Sequence, residues 1–200
     1  MSKNQDTGAI GLGPGDALVI ADLQNDFLPG GALGVLGGDE VVPIVNEYLR
    51  RFSRQGLPVY VTRDWHPAGH CSFRSEGGPW PTHCIAGTPG ADFAPDLVVP
   101  PGATVISKAT DAAREAYSAF AGTDLDEHLR RTGTRRLLVG GLATDYCVLN
   151  TVKDALALGY RAVVLLDAVR AVNVMPGDGE DAIAQMRALG AVTTSLDSVG

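Results

Sequence analysis

Cysteine is scarce in the 200 residues, occurring only as Cys71, Cys84 and Cys147. So few, and an odd number, exclude a disulfide-stapled secreted scaffold and fit a reducing cytoplasm. Long apolar runs are also missing. Stretches such as Ala17 to Ala21 and Ala162 to Leu166 fall far short of the roughly 20 residues that cross a bilayer. The opening MSKNQDTGAI lacks an apolar segment of the kind a signal peptide needs, so no leader and no membrane partner are expected. Positive charge is in the minority, with 16 Lys and Arg against 23 Asp and Glu and a net charge of −7. An acidic chain without a basic stripe excludes a nucleic-acid partner.

What is present is ordinary globular material, 45% hydrophobic and 20% charged. A chain of this length buries roughly 70% of its extended surface without a metal or disulfide staple. Repeats and dividing linkers are absent. Residues 1–15 are polar and Gly-rich and read as a flexible N-terminal tail, and residues 16–200 as one domain.

Short apolar runs at 17–22, 58–64, 103–108, 136–142, 161–169 and 191–195 read as six strands. Helical spacing runs from Asp39, a candidate cap, to Gln55, and again over 124–132, 146–159 and 179–190. Residues 65–101 carry five prolines before position 98 and read as a long loop. Strands that are continuous apolar runs, alternating with helices, predict an α/β domain: three layers, with a six-stranded, mainly parallel sheet covered on both faces. Ligands bind such sheets beyond the carboxyl ends of the strands.

Four reactive side chains collect at those ends. Asp22 closes the first strand, Asp64 the second and Lys108 the third, and Cys147 follows the fourth in GGLATDYCVLN. Singly, each could be a polar residue leaving the core. Together they read as a site. With Thr144 or Asp145 as cap, Cys147 falls in the first turn of a helix, where free amides and a nearby Lys108 favour thiolate. The plainer alternative is an inert buried thiol. Asp22 could take the thiol proton and return it to a leaving group.

The window DWHPAGHCSFRSEGGPWPTHC, residues 64–84, holds three of the four His, two of the three Cys and both Trp. Asp64, His66, His70 and His83 offer mixed nitrogen and oxygen ligands suited to Zn, Fe or Mn. Two alternatives stay open: a structural zinc site using Cys71 and Cys84, and a His acting as base for Cys147. His128 lies on a charged helix face and reads as structural. GGALGVLGG, residues 30–38, is no dinucleotide loop, because GxGxxG is absent and the strand-to-helix gap is too long.

DLQNDF with Asp22, the strand-end Lys108 and GGLATDYC with Cys147 resemble the Asp–Lys–Cys signature of the isochorismatase-like cysteine hydrolases. DWHPAGHCSF with WPTHC is similar to the metal loop of the nicotinamidases (pyrazinamidases) in that superfamily. The likeness runs from about residue 17 to 195. It implies Asp22 as acid–base, Lys108 as its orienting cation and Cys147 as nucleophile. It implies one divalent metal, zinc first and iron or manganese otherwise, on Asp64, His66 and His83, with His70 a ligand in only some relatives. It further implies Phe27 and Trp80 around a pyridine ring, Tyr117 in the pocket wall, a cis peptide at Leu142–Ala143, and the amides of Ala143 and Cys147 facing an oxyanion. The expected activity is hydrolysis of nicotinamide, the small-molecule partner, to nicotinic acid and ammonia through a cysteine thioester, in NAD salvage, by a cytoplasmic homo-oligomer. The rivals are a relative acting on another small amide and a non-catalytic, zinc-stabilised α/β binding module.

Overall fold

A computed structural model describes residues 9–200. Of the expected tail, residues 1–8 lie outside the described residues, while Ile10 pairs with Val199 and is buried.

Six strands form one sheet: β1 (Asp16–Ala21), β2 (Val59–Asp64), β3 (Thr104–Lys108), β4 (Arg136–Leu142), β5 (Arg161–Arg170) and β6 (Val192–Thr194). Their order across the sheet is β3-β2-β1-β4-β5-β6, every pair parallel. Four α-helices accompany them: α1 (Val41–Arg54), α2 (Leu125–Arg131), α3 (Leu149–Ala157) and α4 (Asp178–Ala188). Among the described residues no helix is long and apolar enough to cross a membrane.

The continuous apolar strands follow from the two covered faces. Successive side chains of a strand point to opposite sides. In β1, Leu18 and Ile20 enter one core, with Val42, Val45, Leu49 and Phe52 of α1. Ala17, Val19 and Ala21 enter the other, with Val152 and Ala155 of α3 and Met186 of α4. Polar alternation would leave one of those cores unfilled.

From β1 the chain winds outward through β2 to β3, and from β4 it winds the other way through β5 to β6. β1 and β4 are neighbours, so the reversal point lies at their carboxyl ends, where such sheets open a crevice. Gly141 lets the two strands meet there. Its φ is +105°, and a Cβ would stand 2.0 Å from the Ala21 carbonyl oxygen, a clash with backbone that no rotamer relieves.

Two helix starts differ from expectation. Asp39 lies in a 3₁₀ turn (Gly38–Glu40) and α1 begins at Val41 without a side-chain cap. The helix expected from residue 146 begins instead as a π turn, Thr144–Val148, which runs into α3. Val148 N–H donates to Ala143 O at 3.1 Å, five residues back, and this widens the turn. Such turns concentrate at functional sites. Neither Thr144 nor Asp145 caps it. Asp145 instead accepts the Val172 and Asn173 N–H groups at 2.9 and 2.8 Å and ties the turn to the loop after β5.

Candidate active site

The four strand-end residues meet. Asp64 and Lys108 are register partners at the last rung of β2 and β3. Lys108 Nζ lies 2.5 Å from Asp64 Oδ1, 3.0 Å from Asp22 Oδ2 and 3.5 Å from Cys147 Sγ. It also donates to Ala116 O at 3.1 Å. Thr62 Oγ1 donates to Asp22 Oδ1 at 2.6 Å. All of these side chains are buried.

Burial sets the electrostatics. It pushes the Asp22 carboxyl up, with Lys108 opposing and Asp64 adding to the rise. It acts against the Lys108 ammonium, but Asp22 and Asp64 outweigh it, and the lysine is held well above its ordinary range. Burial also opposes Asp64 ionisation, yet the Lys108 ammonium outweighs it and holds that carboxyl well below the usual range. The sequence led us to expect a low-pKa Cys147. Burial instead pushes the thiol well up, Lys108 opposes, and the two carboxylates add to the rise. A helix-start dipole and one cation do not offset desolvation plus two nearby negative charges. The cluster therefore sets a thiol beside the Lys108 ammonium, the Asp64 carboxylate and an Asp22 carboxyl that burial makes more basic.

Asp64 also belongs to a second group. Its Oδ2 lies 3.5 Å from His66 Nε2, and ligand atoms of Asp64, His66 and His83 lie within 4.8 Å of one another. His66 Nδ1 contacts Ala109 O at 3.3 Å and His83 Nδ1 contacts Pro81 O at 2.7 Å. A carbonyl only accepts, so each Nδ1 carries the hydrogen and each Nε2 keeps its lone pair. His66 Nε2 is buried and has no hydrogen-bond partner. Burial also lowers the His83 pKa and favours its neutral form. An orphaned imidazole nitrogen, a neutral second imidazole and a carboxylate fit a divalent cation.

His70 is placed differently. Its ring lies 4.2 Å from that of His66, but Nδ1 meets Ser72 Oγ at 2.8 Å and Nε2 meets Arg114 O at 3.1 Å. Both nitrogens are engaged, and His70 is outside the three-residue group. Among the described residues the other such group is Asp22, Asp64 and Cys147, and the Lys108 ammonium already sits against all three. Among the described residues, Cys71 and Cys84 belong to neither group. His128 on α2 pairs with Asp124 at 3.2 Å, away from the cluster.

A small pocket opens over Cys147, Asp64 and His83, walled by Phe27, Leu33, Trp80, Tyr117, Ala143, Tyr146 and Val172. Phe27 and His83 rings stand 5.6 Å apart. Trp80 Nε1 donates to Tyr117 Oη at 2.9 Å and meets Tyr146 edge-on with 5.0 Å between centroids. The Leu142–Ala143 peptide is cis. The family resemblance pointed to Phe27, Trp80, Tyr117 and Ala143, which line this pocket, and not to Leu33, Tyr146 and Val172. The signal for Tyr146 was its place beside Cys147. Leu33 and Val172 sit in loops with no periodicity to aim them.

Residues 16–198 match the isochorismatase domain. The chain belongs to the isochorismatase family. Within that family it is 40% identical to the nicotinamidase of Escherichia coli (strain K12), over 92% of this chain and 96% of that one. The isochorismatase-family fold is shared with the crystal structure of pyrazinamidase of Pyrococcus horikoshii in complex with zinc. That match has a TM-score of 0.88 and 47% identity, over 92% of this chain and all of that one. PnC1 from L. infantum in complex with nicotinate matches with a TM-score of 0.86 and 33% identity, over 96% and 98% of the two chains.

Proposed function

We propose that the protein is a nicotinamidase, hydrolysing nicotinamide to nicotinate and ammonia through a thioester on Cys147, and that it serves NAD salvage. One observation carries the reading: Cys147, from the cluster with Asp22 and Lys108, and Asp64 and His83, from the group with His66, line the same aromatic-walled pocket. Nothing in the chemistry needs two such groups in one pocket unless the reacting amide hangs from a ring that has its own anchor.

Asp22 takes the Cys147 proton as sulfur attacks the carboxamide carbon. Burial raises its pKa and makes it a stronger base than an ordinary carboxylate, which suits it to proton transfer. The Ala143 and Cys147 amides face the developing oxyanion, donors of a kind worth about 3–4 kcal/mol apiece elsewhere. Protonated Asp22 then gives its proton to the amide nitrogen, the C–N bond breaks and ammonia leaves. Water attacks the thioester carbon, Asp22 takes the water's proton, the C–S bond breaks, and the proton returns to sulfur. Throughout, Lys108 holds both carboxylates in place and balances their charge.

Asp64, His66 and His83 would hold a divalent cation, zinc in preference, and such an ion supplies a Lewis-acidic seat for a ring nitrogen. Phe27 and Trp80 bound the ring, so the carboxamide is aimed at sulfur by binding a part of the substrate that does not react.

The test is ammonia release from nicotinamide by the purified protein, with Cys147→Ala as the control. Turnover lost in the control supports the reading. Absence of turnover in the metal-loaded protein, with activity on another small amide, would move it to a different substrate in the same family.

A further inference from the structure

β1 and β2 pair in parallel up to Ile20 and Val61, and Asp22 N–H still donates to Thr62 O at 3.2 Å. There the β1 chain leaves the ladder. Asp22 takes a left-handed φ of 45°, and Gln24 N–H turns back to Asp22 O at 2.9 Å. Asp64, at the end of β2, is left with no strand peptide opposite it on the β1 side.

The Gln24 side chain stands in for that peptide. Its Oε1 accepts the Asp64 N–H at 2.8 Å, and its Nε2 donates to Asp64 O at 2.8 Å and to Ala91 O at 2.9 Å. Gln24 is fully buried. A primary carboxamide carries the donor and acceptor of a peptide group on one planar unit. No other side chain except Asn could add this rung, and Asn is one methylene shorter. The residue so gripped divides its carboxylate, one oxygen on Lys108 and the other toward His66.

We propose that Gln24 is a positioning residue: by clamping both main-chain groups of Asp64 it fixes the direction of the Asp64 carboxylate, and so holds the lysine cluster and the cation group in register with each other. The proposal rests on the reading of Asp64, His66 and His83 as cation ligands. Gln24 is in neither the pocket lining nor the Asp64–His66–His83 group, and it acts through Asp64.

The experiment uses Gln24→Met, which keeps length and loses all three bonds, and Gln24→Asn, which keeps the amide but falls short. Co²⁺ is titrated into metal-free protein and followed by its visible absorbance, and the melting temperature of each metal-free protein is recorded separately. Variants that melt cooperatively should bind Co²⁺ at least ~10-fold more weakly, the usual scale for losing a partner behind a metal ligand. Nicotinamide kcat should fall alongside. A folded variant with unchanged Co²⁺ affinity overturns the proposal, whatever its melting temperature. Should Gln24→Met fail to fold, Gln24→Asn decides. Failure of the unaltered protein to bind Co²⁺ would overturn the cation reading itself, a result distinct from loss of the difference between variants.

Discussion

Asp64 meets Lys108 through a single carboxylate oxygen, 2.5 Å from Nζ, and leaves the other oxygen free for the His66 side. The pair is buried, so removing one member strands the other. Lys108→Met would leave Asp22 and Asp64 facing each other without a counter-charge, a change that typically costs about 3–5 kcal/mol. Urea unfolding should register that loss at neutral pH. The pH dependence has a definite sign. The Asp64 carboxyl is held below its ordinary 3.8, so its contribution is present above that pH and lost as pH falls through the lowered value. Lys108 is held above its ordinary 10.5, so its contribution is complete below that pH and lost as pH rises through the raised value. The unaltered protein should therefore keep this stability between those limits and shed it at both ends, and Lys108→Met should lose the alkaline arm. A stability profile of Lys108→Met that matches the unaltered protein would remove the ion cluster from the account.

Cys147 is only 5% exposed and its thiol is pushed up by burial, whereas Cys71 is half-buried and Cys84 fully buried. Because the thiolate is the nucleophile toward alkylating agents, iodoacetamide at neutral pH should modify Cys71 first and Cys147 slowly. Peptide mapping after timed alkylation reads this. Cys147→Ala should abolish ammonia release and leave the fold intact. Full turnover in that variant would end the covalent mechanism.

Asp22→Asn should lower turnover by at least ~10²-fold, the scale for removing an acid–base group. Its fold should survive. The raised Asp22 pKa means that burying the carboxylate ionised costs stability at neutral pH, a cost absent below 3.8 and complete above the raised value. Asn is isosteric, can still accept from Thr62 Oγ1, and escapes that cost. Thermal melting at pH 7 should show a stability close to the parent. If a His66→Ala or His83→Ala change gave the same loss of turnover while Asp22→Asn kept its rate, a Cys–His pair would be the better account.

The strand ends were legible in the sequence because each β-strand fills two cores at once, so Leu18 and Val19 alike must be apolar and the first polar residue marks the rim. Asp22, Asp64 and Lys108 were placed by that rule alone. Cys147 was placed as well, but its environment was not. Nothing in residue spacing separates a π turn from an α turn, and the thiol's burial between two carboxylates depends on how closely Gly141 lets β4 approach β1. Gln24 was invisible for a similar reason. Its partners lie 40 and 67 residues away, and a buried glutamine leaves no periodic signal.

The two-group pocket makes its sharpest prediction on substrates. Benzamide has the amide and nearly the shape of nicotinamide but no ring nitrogen. If Asp64, His66 and His83 hold the ion that seats that nitrogen, benzamide should be worse by about 10²-fold or more in kcat/KM, because a polar seat is left without its partner. Burial of His66 Nε2 with no protein partner makes the same residues sensitive to chelation. Chelation, or His66→Ala, should cut nicotinamide turnover sharply and barely change the slow benzamide rate, since Cys147, Asp22 and Lys108 remain in place. Steady-state ammonia assays on both amides, before and after metal removal, measure this directly. If both rates fell together, the ion would be holding the loop from Asp64 to Cys84 and not the substrate. Equal rates for the two amides in the loaded protein would be more serious, because the pyridine nitrogen would then contribute nothing and the nicotinamide assignment would lose its physical basis.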